Sequence, residues 1–443
     1  MADNYSTMIQ AAEIGEVPSH WYVAPLSAFV SRVTYGFTNP MPTTEDGPFM
    51  VTAKDIHDGR IDYSTARHTS WDAYGNDVTD KSRPRVGDVL LTKDGSIGRV
   101  AVCDRTDVCI NQSVALIQPN DRSDSRFLKY LLETPYYQKR MEGDSDGTTI
   151  KHIYITRVDK MEVAIPPIEE QRAIAHILGT LDDKDELNRR MNETLEAMAR
   201  ALFKSWFVDF DPVRAKAEAR DPGLPKPLAD LFPDSFEDSE LGEIPKGWRL
   251  ASLPDVIDVN PTRALRKGVE APYLDMANMP TRGHSPDEVV DRAFGSGMRF
   301  MNGDTLVARI TPCLENGKTA FVDFLETGEV GWGSTEYIVL RPKPPLPDEF
   351  AYCLARSTEF RDFAIQRMTG SSGRQRVPVE SLSHFRVVAT PKSIAESFGQ
   401  LIKPLFARSS AATKEGRTLT ALRDTLLPKL LSGELNVTAK TSP

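Results

Sequence analysis

The sequence predicts an α+β protein with two tandem mixed α/β domains, separated by two long helices that form an antiparallel coiled coil. Two observations predict this fold class. The chain repeats short motifs at offsets of 224 to 227 residues, and each repeat ends in a long segment with a seven-residue apolar period. Because tandem copies of one unit carry the same elements in the same order, each element can be justified twice.

The repeat is clearest at its beginning. Residues 13–18 read EIGEVP and residues 240–245 read ELGEIP, and a tryptophan follows three residues later in both places. Matches continue at the same spacing as far as the long helical segments. The sequence therefore consists of two diverged copies of one unit, at about 12–207 and 239–433.

Each copy begins with short strands. Apolar runs such as 89–92, 100–103 and 114–118 are separated by Gly, Asp and Pro, which is typical of strands joined by turns. Short helical patches follow, for example at 126–134 and 349–356. The first half of each copy is therefore predicted to be a mixed α/β domain.

A long helix closes each copy. Pro166 and Pro167 precede the first and Pro391 precedes the second, and proline suits the start of a helix. Between the copies, the segment 211–238 is rich in proline and carboxylates and has the composition of a surface linker. The predicted organisation is a first domain at 1–165, a long helix at 166–210, a linker at 211–238, a second domain at 239–390, a long helix at 391–435 and a tail at 436–443.

The long segments carry a coiled-coil pattern. Positions 174, 181, 188, 195 and 202 are Ile, Leu, Asn, Leu and Leu, and the same heptad recurs 224 residues later. A heptad of this length favours helices that pack on each other, although each helix could instead pack only on its own domain. In an antiparallel pair, Asn188 would lie near Ala412 and fix the register. Forty residues would form a helix about 60 Å long.

Composition narrows the class of protein. The chain has 443 residues, 40% of them hydrophobic, and a formal charge of −9. It contains neither an apolar run long enough to span a membrane nor an N-terminal signal pattern. Its four cysteines have no metal-binding spacing and are expected to be free thiols in a reducing, cytoplasmic compartment.

Catalytic motifs are incomplete. Residues 316–319 read NGKT, like the end of a phosphate-binding loop, but Pro312 stands where that loop requires glycine. The glycines at 295 and 297 resemble part of a methyl-donor loop without its preceding strand. The seven histidines form no metal-ligand pair of helical spacing. The sequence therefore predicts a protein without its own active site or metal.

Four segments resemble the specificity subunits of type I restriction enzymes. Residues 166–175 (PPIEEQRAIA) and 202–213 (LFKSWFVDFDPV) are similar to the family's central region, and residues 422–435 (LRDTLLPKLLSGEL) to its C-terminal region. Residues 87–98 (GDVLLTKDGSIG) resemble its target-recognition motif. Together with the repeat, these similarities cover nearly the whole chain.

The resemblance implies a function. In this family two target-recognition domains each read one half of a bipartite, asymmetric DNA sequence, while the long helices set the unread gap and dock partners. The implied partners are double-stranded DNA, two methyltransferase subunits that methylate adenine N6, and a restriction subunit that translocates and cleaves DNA. S-adenosylmethionine, ATP and Mg²⁺ would bind to those subunits and no cofactor to this chain. The alternative is a coiled-coil adaptor whose duplicated domains bind proteins.

Two loops in each copy carry the candidate DNA contacts. They combine glycines, which permit close approach, with cations, hydroxyls and amides that can contact phosphates or base edges. Arg374 and Gln375 are the strongest candidates for base contacts, and Lys93, Lys151 and Lys318 for phosphates. At the end of the first long helix, aromatic side chains are candidate partner anchors or, equally, internal caps of the coiled coil. The candidate DNA-binding residues are Lys93, Ser96, Arg99, Thr148, Thr149, Lys151, Arg309, Thr311, Asn316, Lys318, Arg374, Gln375 and Arg376, and the candidate partner-binding residues are Phe203, Trp206 and Phe207.

Overall fold

A computed structural model describes residues 8–11, 15–147, 151–371 and 373–437. The chain divides into two units. The first unit comprises the described residues up to Lys184 together with those from Leu419 onward, and the second runs from Asp185 to Thr418. Each long helix contributes one part of its length to each unit.

The first unit is built from short strands and helices around one sheet. Its strands are β1 (Met8–Ala11), β2 (Gly15–Pro18), β3 (Tyr22–Pro25), β4 (Val30–Tyr35), β5 (Thr44–Val51), β6 (Ile56–His57), β7 (Arg60–Ile61), β8 (Arg67–His68), β9 (Val89–Thr92), β10 (Val100–Val102), β11 (Val108–Ile110), β12 (Val114–Pro119) and β13 (Glu162–Ile165). Its helices are α1 (Trp71–Asn76), α2 (Ser125–Glu133), α3 (Pro135–Gly143), α4 (Ile155–Asp159) and the beginning of α5 (Ile168–Phe207).

The main sheet of the first unit has the antiparallel order β10-β9-β12-β4. Every residue of β9 is buried, because helices cover one face of the sheet and the smaller sheet β11-β5-β8 covers the other. Strands β5 and β11 are parallel. Helix α2 begins at its N-cap Asp124, whose carboxylate accepts a hydrogen bond from the backbone N–H of Phe127 at 3.0 Å.

The second unit repeats this plan. Its strands are β14 (Phe236–Ser239), β15 (Gly242–Pro245), β16 (Arg249–Ser252), β17 (Ile257–Val259), β18 (Glu270–Leu274), β19 (Val290–Ala293), β20 (Met298–Phe300), β21 (Thr305–Ala308), β22 (Thr319–Phe321), β23 (Gly331–Gly333), β24 (Tyr337–Pro342) and β25 (Arg386–Ala389). Its helices are the rest of α5, α6 (Asp211–Ala217), α7 (Lys226–Ala229), α8 (Leu253–Val256), α9 (Glu349–Ala355), α10 (Thr358–Gln366) and most of α11 (Lys392–Leu431).

Sheet topology confirms that the halves are copies of one fold. The order β22-β21-β24-β17 in the second unit matches β10-β9-β12-β4 in the first. The parallel pair of β18 with β23 likewise matches the pair of β5 with β11. The repeat seen in the sequence is therefore a repeat of strand order and direction.

The long helices pack antiparallel, as predicted. In the first unit the Asp182 carboxylate of α5 accepts a hydrogen bond from Arg423 of α11 at 3.0 Å. In the second unit the Asn188 amide donates to Glu415 at 2.9 Å and the Asn192 amide donates to Thr413 at 3.0 Å. Numbers rise along one helix as they fall along the other, so the predicted fold class is confirmed. The hydrogen-bond partner of Asn188 is Glu415, three residues from the predicted neighbour Ala412.

The candidate partner anchors lie in the hydrophobic core. Phe203, Trp206 and Phe207 are 3%, 1% and 8% exposed, and their rings pack around Phe398 of α11 in the second unit. Side chains this deeply buried cannot contact a partner directly without leaving the core. The structure therefore corrects the expectation of partner anchors, because these aromatics join the two helices to their own domain.

The segment predicted as a surface linker has structure of its own. It contains α6 and α7, and both Val213 and Phe232 are buried in the aromatic core of the second unit. Proline lies in the first turn of both helices, where its missing N–H costs nothing. Among the described helices, none combines the length and apolar character needed to cross a membrane.

Candidate nucleic-acid interface

The two candidate loops of the first unit are joined to each other. The first loop, residues 93–99, connects β9 to β10, and the second, residues 147–152, precedes α4. The backbone N–H of Gly95 donates to the carbonyl of Lys151 at 2.9 Å, and the N–H of Ile153 donates to the carbonyl of Lys93 at 3.0 Å. The sequence predicted both loops, and the structure brings them into one surface.

The second unit joins its loops in the same way. The first loop, residues 309–318, connects β21 to β22, and the second, residues 371–376, follows α10. The N–H of Thr311 donates to the carbonyl of Gln375 at 3.0 Å, and the N–H of Val377 donates to the carbonyl of Arg309 at 2.9 Å. Each hydrogen bond has its counterpart in the first unit. We call each joined set the paired loops of its unit.

A glycine in each first loop is fixed by a side chain from a nearby helix. Gly98 has a φ of 88° and Gly317 a φ of 76°, a region that residues with a Cβ rarely adopt. The Gln138 amide donates to the carbonyl of Gly98 at 2.7 Å, and the Arg356 guanidinium donates to the carbonyl of Gly317 at 3.0 Å. Sequence reasoning missed both anchors, because nothing local marks them.

In the first unit the candidate cations differ in accessibility. Lys93 is only 5% exposed, pairs with Asp94 at 3.1 Å and lies over the Tyr35 ring. Its ammonium is therefore occupied within the fold, which contradicts its expected role as a phosphate contact. Ser96, Arg99 and Lys151 are exposed.

Lys151 is exposed but not without a partner. It forms an ion pair with Glu142, and this hydrogen bond lowers the pKa of the Glu142 carboxyl. Arg99 donates to the carbonyl of Ile56 at 3.2 Å. Thr148 and Thr149 lie outside the described residues, so their proposed contacts stay predictions.

In the second unit two of the candidate arginines share one carboxylate. Arg309 and Arg376 contact the two oxygens of Glu336 at 3.2 and 2.7 Å, so their guanidinium groups lie side by side. Arg374 is exposed, and no side-chain partner is assigned to it among the described residues. The arrangement presents a free guanidinium beside a fixed pair, which suits recognition of phosphate or of guanine O6 and N7.

The remaining candidates of the second unit lie on the same surface. Asn316 is exposed, and Gln375 is partly exposed. The Lys318 ammonium donates to the carbonyls of Met276 and Ala277, the latter at 3.1 Å, which ties it to another loop. The Thr311 hydroxyl lies 4.0 Å from the Met368 sulfur.

A third loop joins this surface in each unit and was missed by sequence reasoning. It covers residues 276–283 in the second unit, after β18, and residues 52–59 in the first, after β5. A signal was present, because Gly59 and Gly283 lie 224 residues apart and have φ values of 72° and 75°. The offset of the long helices applied to the glycines would have found both loops.

The buried polar groups outside the loops have structural partners. In the second unit His284 is 4% exposed and contacts Asp323 at 3.1 Å, while Ser410 donates to the same carboxylate. Burial raises the pKa of the Cys103 thiol to about 11 and that of Cys109 to about 12, so neither is a thiolate at neutral pH. In the part of the chain that the structure describes, no cluster of potential metal ligands occurs.

Comparison with known proteins gives these loops a family context. A family model described as the type I restriction modification DNA specificity domain matches residues 45–197, which contain the paired loops of the first unit. The specificity subunit of the type I restriction enzyme MjaIX from Methanocaldococcus jannaschii is 26% identical, with 98% of each chain covered. That of HindI from Haemophilus influenzae is 26% identical over 80% of this chain and 88% of its own.

A solved structure shares the fold. The S subunit of a type I restriction-modification system from M. genitalium superposes with a TM-score of 0.56 and 17% identity, covering 93% of this chain and 96% of that one. The near-complete coverage of specificity subunits includes both copies of the repeat and both long helices. The chain belongs to the DNA specificity subunits of type I restriction-modification enzymes.

Proposed function

We propose that each unit reads one half of a bipartite, asymmetric DNA sequence through its paired loops. The observation that carries the proposal is that both units have the same loop-to-loop hydrogen bonds but different side chains on them. Two identical readers would require related half-sites, whereas diverged readers suit two different ones.

This chain would direct chemistry that its partners perform. Two methyltransferase subunits would transfer methyl groups from S-adenosylmethionine to adenine N6, and a restriction subunit would use ATP and Mg²⁺ to translocate and cleave DNA. The chain itself would supply no catalytic residue and bind no cofactor, and the complex would act on DNA in the cytoplasm. The two helices, each of 40 residues, would set the unread gap and dock the methyltransferases.

The proposal is tested by expressing the chain with a type I methyltransferase subunit and sequencing the host DNA for N6-methyladenine on single molecules. We expect one bipartite motif, methylated only when this chain is present. Exchanging the paired loops of one unit for those of a relative should change one half of the motif and leave the other intact. Stable assembly without a motif, together with indifference to DNA, would overturn the proposal in favour of a protein-binding adaptor.

A further inference from the structure

The third loop of the second unit is attached directly to the paired loops. The N–H of Thr319, at the end of the first loop, donates to the carbonyl of Pro280 at 3.1 Å. The Lys318 ammonium donates to the carbonyl of Ala277, also at 3.1 Å. The backbone of residues 276–283 therefore extends the surface that carries the candidate DNA contacts.

Arg356 fixes this loop from beneath. Its side chain is 7% exposed, and its Nη1 donates to the carbonyls of Thr281 at 2.7 Å and Gly317 at 3.0 Å. Its Nη2 donates to the carbonyl of Gly283 at 2.7 Å. One guanidinium thus holds the residues on both sides of position 282 and links them to the glycine of the first loop.

The cation of Arg356 is itself held in place. The Tyr352 hydroxyl accepts from its Nε at 3.1 Å, and Glu196 of α5 lies 3.5 Å from the same nitrogen. All three nitrogens therefore have partners, and the buried charge is compensated. The loop above it has little freedom to move.

Position 282 itself carries a cation that the fold does not use. Arg282 is exposed, and no side-chain partner is assigned to it in the described ranges. The corresponding residue of the first unit, 224 positions earlier, is Asp58, which also precedes a glycine with positive φ. The loop shape is compatible with either charge, so folding alone does not require an arginine here.

We propose that Arg282 contacts DNA in the half-site read by the second unit, and that Arg356 is the residue that positions it. This inference rests on the proposed function. A guanidinium can donate to phosphate oxygens or, in a bidentate manner, to O6 and N7 of guanine. Because Arg356 fixes both neighbours of Arg282, the backbone of the reader is ordered before DNA arrives, which reduces the entropy lost on binding.

The test uses the full chain assembled with a methyltransferase subunit and a duplex that carries the wild-type methylation motif. Arg282→Ala should weaken binding by about tenfold or more, while Asp58→Ala, the matched change in the first unit, should not weaken it. If Arg282 contacts a phosphate, Arg282→Lys should retain most of the affinity, and Arg282→Ala should lower the slope of log K against log salt by about 1.

If Arg282 instead contacts guanine, Arg282→Ala should relax the motif at one position of one half. Unchanged affinity, salt slope and motif in Arg282→Ala would overturn the inference. A wild-type complex that recognises no motif would overturn the proposed function instead, so the two failures are distinguishable.

The positioning role is tested by a double-mutant cycle. Arg282→Ala should cost less affinity in an Arg356→Met background than in the wild type, because the loop is no longer fixed. Equal costs in both backgrounds would overturn the role of Arg356. Should Arg356→Met fail to fold, Gly283→Ala serves instead, since an added Cβ would meet nothing within 4 Å and acts only through the φ of 75°.

Discussion

The paired loops of the two units share a backbone plan but differ in charge. In the second unit, the three loops at 276–283, 309–318 and 371–376 contain five lysines and arginines and one carboxylate. Their counterparts in the first unit, at 52–59, 93–99 and 147–152, contain four and three. The main-chain hydrogen bonds stay the same while the side chains diverge. The fold of a reader and its preference are therefore separable properties.

The helix pair shows a second contrast. In the first unit the helices meet through an ionic network in which Asp182 contacts Lys129, Tyr130 and Arg423. In the second unit they meet through aromatic rings, centred on Trp206 and Phe398. Directional ionic contacts fix register, whereas aromatic packing supplies buried area. The predictions below test these contrasts, from the largest expected effect to the smallest.

The aromatic part of the contrast is tested by Trp206→Ala. Trp206 is 1% exposed, and its ring centroid lies 5.0 Å from that of Phe232, so its loss leaves a large cavity. We expect a loss of about 3–5 kcal/mol in the stability of the second unit, measured by urea unfolding. Trp71→Ala is the control, because Trp71 is 64% exposed in the first unit. Equal effects of the two changes would contradict the packing role.

The ionic part is tested by Asp182→Asn. Burial alone would raise the pKa of Asp182, but the charge of Lys129 and the hydrogen bonds from Tyr130 and Arg423 hold it below its usual value. At pH 7 the change leaves buried Lys129 without its charge partner on α5, and we expect the first unit to lose about 3 kcal/mol.

The pH dependence of this loss has a definite sign. Because the pKa of Asp182 is lower in the folded state, its contribution is complete above the unfolded value of about 3.9 and disappears as pH falls through the folded value. The difference between wild type and Asp182→Asn should therefore shrink in acid, as urea unfolding at several pH values would reveal. Asp183→Asn is the control, since the Asp183 side chain is 63% exposed. A difference that grows in acid would refute the assignment.

The divergence of the readers is tested by replacing Arg374 and Gln375 with alanine together. Loss of a base contact costs about 1–3 kcal/mol, so we expect a ten- to hundredfold loss of target preference, confined to one half of the methylated motif. Lys151→Ala in the first unit should leave that half unaltered. Motif sequencing decides the outcome, and an unchanged target preference in the double variant would remove both residues from the set of base contacts.

The smallest effect concerns two asparagines of α5. Asn188 is 1% exposed, and its Oδ1 has no hydrogen-bond partner in the described part of the chain, so Asn188→Leu should gain about 1 kcal/mol. Asn192 uses both ends, donating to Thr413 and accepting from Ser409, so Asn192→Leu should lose about 1 kcal/mol. Chemical denaturation measures both. A destabilised Asn188→Leu would count against a residue that fixes register at the expense of stability.

The sequence predicted the elements far better than the contacts between them. The first long helix, expected at 166–210, is observed at Ile168–Phe207, and the second, expected at 391–435, at Lys392–Leu431. Heptad period and flanking prolines are local signals, which explains this agreement. The accessibility of Lys93 could not be predicted, because Tyr35, whose ring lies beneath its ammonium, is distant in sequence.

The same limit applies to the loop anchors. Gln138 and Arg356 act on glycines some 40 residues away, and neither belongs to a motif. The anchors also differ between the copies, so alignment of the repeats does not reveal them. Only the sheet order, which brings a helix beneath each first loop, makes these residues partners.

The division of the long helices between the units has a consequence for synthesis on the ribosome. The core of the first unit contains Leu430 and Leu431 of α11, which follow the entire second unit in the chain. At 5–20 residues per second, the 234 residues from Asp185 to Thr418 take roughly 10–50 s to translate. Throughout that interval the nascent first unit exposes the apolar surface around Ile174 and Leu178. An early folding intermediate of this chain is therefore a client for chaperones.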